Sequence, residues 1–422
     1  MNPTLSQDLL TFLKHSPTCF HAVAEMASAL TAHGFTELSE TEKWNLTPGS
    51  RHFLTRNGSS LIAFAIPSSG IHSFRILASH SDSPTFKIKE NPEIAVENKY
   101  VKLNVEGYGG MLCAPWFDRP LSVAGRVIVK ENGAFTAKLV NLDRDLLMIP
   151  NLAIHMNREA NNGYQYNHQR DMLPLYGDIT AKDTFLKQVA EAAHVLPEDI
   201  LGHDLFLYNR QPGTIWGASG EFLSSSRLDD LQCAFASLQG FLQGEKQESL
   251  AVHCVFDNEE VGSSTRQGAA STFLYDTLTR IHESLGLTPE DYRIHLAKSL
   301  MISADNAHAV HPNYPDKADP VNRPVLNGGI VLKYNANQRY CTDGISAAMF
   351  KDLCRQADVP VQVFTNRSDI PGGSTLGNIS NTQVALNTID IGLPQLAMHS
   401  PYETAGVKDT EYLVRAAKEF FH

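Results

Sequence analysis

Short apolar runs and helix-period patterns alternate along most of the chain. LIAFAIP (61–67), FRILAS (74–79), LAVHCVF (250–256), LMIS (300–303), GIVLKY (329–334), VQVF (361–364) and PQLAM (394–398) are too short for helices and are predicted as strands. Leu228, Leu231, Phe235 and Leu238 recur along one face behind a serine-rich stretch that reads as an N-cap region, and further helices are predicted over 346–357 and 410–421. Leu5, Leu9, Phe12 and Leu13 give the N-terminal segment an apolar helical face. That segment has no basic start, continuous apolar core or small-residue cleavage site, so it reads as an amphipathic helix rather than a signal peptide. No run approaches the roughly 20 apolar residues of a membrane span. Strands interleaved with helices predict an α/β fold, a central mixed sheet flanked by helices.

Residues 91–222 break this rhythm. KYVKLNVEGYGGML and LSVAGRVIVKENGAFTAKLV are hairpin-like, with turn chemistry at Glu131-Asn132-Gly133 and helical period only near 182–194. The expected organisation is an α/β domain from 1–90 and 223–422, interrupted by a β-rich insert at 91–222. A length of 422 residues also favours two domains over one core.

Net charge sharpens the functional range. With 35 basic against 46 acidic side chains and a net charge of -11, the chain lacks the positive surface that phosphate backbones need, so nucleic acid is not the expected partner. Six cysteines without a CxxC pair read as reduced thiols, which points to a cytoplasmic setting.

The chemistry stands at strand ends. His80-Ser81-Asp82 follows FRILAS, Asp257-Asn258-Glu259-Glu260 follows LAVHCVF, Asp305 follows LMIS, and His399 follows PQLAM. In an open α/β sheet the ligand site lies beyond the carboxyl ends of the strands, so these residues are expected to converge. Imidazole and carboxylate without thiolate suit zinc or a similar cation in a catalytic site. His80, Asp229, Glu260, Asp305 and His399 supply the ligand count of a two-metal centre. Asp82 can accept the other ring N–H of His80. Of Glu259 and Glu260, one can bind metal while the other moves a proton. Each residue alone has an ordinary structural reading, such as a hydrogen-bonded histidine or helix-start acids. Five such residues together at strand exits do not.

Eight segments extend the pattern: ASHSDSPTFKIK (78–89), GYGGMLCAPWFDRPLSVAGRV (107–127), SRLDDLQCAF (226–235), VFDNEEVGSSTRQGA (255–269), SADNAHAVHPNY (303–314), NGGIVLKYNANQRY (327–340), DIPGGSTLGN (369–378) and MHSPYETAG (398–406). Their content and order resemble the M18 metallopeptidases, the aspartyl aminopeptidases. The resemblance implies a zinc-aminopeptidase-like fold whose insert serves dimerisation. It also implies two divalent ions per chain, zinc by preference with cobalt or manganese compatible. Asp229 would bridge them, His80 and Asp305 completing one and Glu260 and His399 the other. Glu259 would be the general base and Asp82 would orient His80. Lys333 would meet the side chain of an N-terminal Asp or Glu, Tyr340 would stabilise the oxyanion, and His155 would reach a neighbouring active site. Peptides with a free N-terminus are the implied substrates, and a homo-dodecamer built from dimers the implied assembly. The sequence departs from the family at Pro120 after Phe117-Asp118-Arg119, and at Gly372. His308 and His311 read as structural or as supports behind the ligands, since the five ligands already satisfy two ions. A related dizinc deacylase or carboxypeptidase, or a non-catalytic peptide-binding protein, are the competing readings.

Overall fold

The computed structural model describes residues 3–244 and 248–422, and these form two compact units. One comprises the chain up to Asp82, Gly213–Met398 and Glu403–His422; the other comprises Ser83–Pro212 with His399–Tyr402. The chain passes between units at 82/83 and 212/213 rather than at the expected 90/91 and 222/223. The reason is continuity of pairing: the Thr85–Val96 strand runs through residue 90, and Phe222–Ser225 pairs with Glu403–Gly406 of the first unit.

A nine-stranded mixed sheet organises the first unit. Its order is Thr36–Glu37, Arg51–Arg56, Ser60–Ala65, Leu250–Phe256, Phe74–His80, Leu300–Ala304, Asn387–Gly392, Ile330–Tyr334, Val361–Thr365. The four strands from Leu250–Phe256 to Asn387–Gly392 run parallel, with Phe256 paired to His80 and Ser303 to Ala78. Both faces are covered, so these strands are buried except at half-buried Arg75 and exposed Asn387, and their side chains alternate between two cores. Ala251, Val255, Leu300 and Ile302 pack on the side of Leu228–Gln243 and Asp409–Phe420. Val252, Cys254 and Met301 pack on the other, with Phe273–Ser284. The helices Leu228–Gln243 and Asp409–Phe420 approach so closely that a Cβ on Gly240 would collide with Ala417.

Two expectations are corrected here. The serine-rich stretch before Leu228 is not a cap: Ser224 and Ser225 end a strand, and the helix begins after Arg227 at φ 60° with no side-chain cap. PQLAM is not a strand of the large sheet either. Pro394–Leu396 belongs to a separate five-stranded sheet, and the strand serving the large sheet is Asn387–Gly392. Its buried Asp390 and Thr388 break the apolar run that marks the others.

The second unit holds a six-stranded antiparallel sheet, ordered Ala134–Asn141, Leu121–Glu131, Gly202–Asn209, Thr85–Val96, Tyr100–Tyr108, Leu175–Asp178. Asn132 (φ 50°) and Gly133 (φ 84°) form the two-residue turn between Glu131 and Ala134, both positions taking the left-handed backbone such hairpins need. The helix Phe185–Ala193 contributes Phe185 and Val189 to this unit's core. Among the described residues no helix is long and apolar enough to cross a membrane.

His253 sits inside Leu250–Phe256, fully buried and stacked on Phe241 at 5.8 Å. Burial lowers its pKa to about 3. Below pH 6.5 the unfolded chain protonates this imidazole while the folded chain does not, so acid favours unfolding across that window. His253→Leu is expected to remove about 2 kcal/mol of the stability lost between pH 7 and pH 5. Urea midpoints of both proteins at the two pH values check this; equal losses would assign the acid sensitivity elsewhere.

Candidate metal centre

Three adjacent parallel strands deliver the chemistry. His80 ends the Phe74–His80 strand, Asp257 follows Leu250–Phe256 and leads into the short turn Glu259–Val261, and Asp305 follows Leu300–Ala304. Asp229 and Asp230 join them from the start of the Leu228–Gln243 helix, where their backbone is non-helical and the peptide between them is cis. The His80 main-chain N–H donates to Asp230 Oδ2 at 3.0 Å, and the Asp229 N–H donates to Glu403 Oε2 at 3.0 Å.

Asp82 meets His80 Nδ1 through both its main chain and its carboxylate. The His80 Nδ1–H donates to the Asp82 main-chain carbonyl at 3.1 Å, with the carboxylate Oδ1 farther at 3.4 Å. The Asp82 carboxylate also accepts the backbone N–H groups of Glu259 (3.1 Å) and Glu260 (3.2 Å), pinning the acidic turn. With Nδ1 so occupied, His80 turns Nε2 toward Asp229 Oδ1 at 3.4 Å and Asp305 Oδ1 at 3.7 Å.

Ligand atoms of His80, Asp229, Asp230 and Asp305 lie within 4.8 Å of one another, as do those of His80, Glu259 and Glu260. The electrostatics are those of a site short of positive charge. Burial, reinforced by neighbouring carboxylates, pushes Asp230 and Glu260 well above the usual range and Glu259 up to about 8. For His80, burial acts to lower the pKa, but Asp229, Asp230, Asp305 and Asp82 outweigh it and raise it well above the ordinary imidazole value. Asp305 keeps its charge despite burial because Lys333 and His80 hold its carboxyl far below the usual value. Lys333 Nζ lies 3.2 Å from Asp305 Oδ2 and 5.5 Å from the centre of the Tyr340 ring. Burial raises the Tyr340 pKa, so its phenol stays a donor. Carboxylates this crowded, balanced within the chain by His80 and Lys333, make a donor set suited to divalent cations.

His399 falls in the segment His399–Tyr402 grouped with the second unit, where its Nδ1–H donates to the Gly110 carbonyl at 2.5 Å. That bond leaves Nε2 as the atom able to ligate. His155 is exposed in a turn-rich loop of the same unit, beside exposed Ile154 and Met156. His308 is exposed, with its ring 6.0 Å from that of Phe364. Asp230 and Glu403 are the acids that sequence reasoning missed; the Asp-Asp pair and the acid in MHSPYETAG were the available signals.

A family model for aminopeptidase I zinc metalloproteases (M18) matches residues 12–421. The chain belongs to the M18 family. A probable M18 family aminopeptidase 2 of Clostridium novyi is 48% identical over 425 residues, covering 99% of this chain and 98% of the relative. One from Pseudomonas aeruginosa is 43% identical over 431 residues, covering 100% and 99%. The M18 fold is matched by a chain of the Ape4–Nbr1 complex solved by cryo-EM (TM-score 0.95, 38% identity, 99% of this chain and 85% of that one). It is matched too by the S. cerevisiae mApe1 dodecamer (TM-score 0.87, 29% identity, 99% and 96%). This M18 chain is a metallo-aminopeptidase, a hydrolase acting on peptide N-termini.

Proposed function

We propose that the enzyme removes N-terminal residues, acidic ones by preference, at a dinuclear centre. The charge-deficient cluster of His80 with buried carboxylates at the ends of three parallel strands carries this reading. Asp229 would hold both of two ions, zinc in preference to cobalt or manganese, with His80 and Asp305 as the further ligands of one and Glu260 and His399 of the other. Bound there, the ions supply the positive charge that acidifies a water and polarises the scissile carbonyl.

The chain's own groups do the rest. Glu259 holds the proton on its carboxyl and returns it to the departing amine. Asp82 fixes the turn that carries Glu259, and also the tautomer of His80. The Tyr340 hydroxyl donates to the developing oxyanion. Lys333 attracts a first-residue carboxylate. Copies assemble from dimers through the β-rich second unit into a homo-dodecamer, the assembly of the S. cerevisiae relative, with His155 serving a neighbouring site. A reducing cytoplasmic setting accords with six cysteines that form no CxxC pair.

The Lys333–Asp305 pair favours a second role for Lys333, as a counter-ion that holds a metal ligand. Turnover of Asp-, Glu- and Leu-peptides before and after chelation, with metal add-back, tests the whole reading. Activity should vanish with the metal and return at two ions per chain. On the specificity role, Lys333→Ala lowers the Asp-over-Leu ratio of kcat/KM by about 10- to 100-fold, the worth of a charge-assisted hydrogen bond. A loss equal for all first residues, with altered metal content, assigns the counter-ion role instead.

A further inference from the structure

Past the carboxyl end of the Val361–Thr365 strand lies a cavity of about 320 Å³. Four basic side chains line it, His308, His311, Lys317 and Arg367; no acidic residue does, and Phe364 and Tyr314 add apolar wall. Its position relates it to the metal centre. Phe364 is the register partner of Lys333 across two parallel strands. It also packs in one cluster with Tyr340 and Ala307, and His308 follows Asp305 by three residues. The Phe364 side chain is thus shared between this cavity and the surroundings of Lys333 and Tyr340.

The donors are prepared for an anion. The Asn313 main-chain N–H donates to His311 Nδ1 at 3.2 Å, so in the neutral ring the proton sits on Nε2, available to give. Arg367 is held in place by Asp369, through Nε–H to Oδ1 at 2.9 Å and Nη2–H to Oδ2 at 2.7 Å, and by the Asp316 carbonyl. This pairing offsets part of the Arg367 charge. Two further acids are close in sequence: Asp316, whose carboxylate also acts on Arg367, and Asp319, which accepts the N–H groups of Val321 and Asn322. Exposed Lys317 adds an ammonium at the rim.

We propose that this cavity is a subsite for a carboxylate carried by the peptide downstream of the first bond, either an acidic side chain or the peptide's own C-terminus. The proposal rests on the aminopeptidase site described above and adds a second determinant of substrate choice. An apolar wall with imidazole and ammonium donors recognises a carboxylate on a short apolar stem, and a neutral amide only weakly.

The test uses the full-length enzyme and a double variant, His311→Ala with Lys317→Ala, at two exposed positions whose loss leaves the core intact. Substrates are Asp-Ala-Ala-amide, Asp-Ala-Ala as the free acid, Asp-Glu-Ala-amide, and the p-nitroanilides of Asp and Leu. The unmodified enzyme should cleave at least one of the two downstream-charged peptides with kcat/KM about 5- to 10-fold above the neutral amide, expressed in KM and shrinking with added salt. The double variant should level the peptides while cleaving both anilides within about twofold of the original, since neither anilide reaches the subsite. A gain confined to the free acid assigns the peptide terminus, and one confined to the Glu peptide assigns the side chain. Equal kcat/KM for all three peptides in the unmodified enzyme overturns the proposal, as does a preference that survives the double substitution. The anilides report on the aminopeptidase reading separately, which fails if neither is cleaved whatever the peptides show.

Discussion

Glu259→Gln is expected to lower kcat about a thousandfold while both metal ions stay bound and KM moves only a few-fold, the loss typical of removing a general base. Glutamine preserves the side chain's shape, and the Asp82 carboxylate contacts the main-chain N–H of residue 259, which the substitution leaves in place. The group that can take a proton is what disappears. Metal content by mass spectrometry and steady-state kinetics on one peptide give the result together. Glu260→Gln provides the contrast, because a ligand's loss should lower metal content before it lowers the rate per loaded site. If the two variants exchanged these phenotypes, the roles of the neighbouring glutamates would be reversed.

Asp229→Asn is expected to abolish turnover, by a thousandfold or more, through loss of both ions, since in the proposed assignment this carboxylate would serve each of them. The same substitution should leave the metal-free protein more stable. Asp229 adds to the forces that push Asp230 and Glu260 toward protonation, and removing one buried negative charge relieves that repulsion at constant shape by about 1–2 kcal/mol. Opposite changes in melting temperature and activity would mark a site whose charge is tolerated for function. A variant that kept two ions would remove Asp229 from the bridging position.

Much of this centre was legible from strand ends. The runs before His80, Asp257 and Asp305 are short, apolar and doubly buried, and their parallel order brings three exits side by side. The contributions of Asp82 and Lys333 were not legible in the same way. Asp82 lies two residues from His80, which suggests a side-chain contact, yet the shorter contact runs to its main-chain carbonyl, a matter of local backbone geometry that residue identity does not encode. Lys333 alternates within GIVLKY like a solvated strand residue, but it is buried and paired with Asp305. The Asn387–Gly392 strand escaped because Asp390 sits in its middle, buried and accepting the Cys341 N–H. A polar residue satisfied by a distant backbone group looks, in sequence, like the end of an apolar run.

The sheet order that seats Leu250–Phe256 beside Phe74–His80 means that His80 emerges from the ribosome long before the strand that must lie next to it. A nascent chain therefore carries part of the cluster without its neighbours, and any ion capture would have to wait for the pairing of Phe256 with His80. A chain that ends before Leu250 thus has His80 without the strand that seats it.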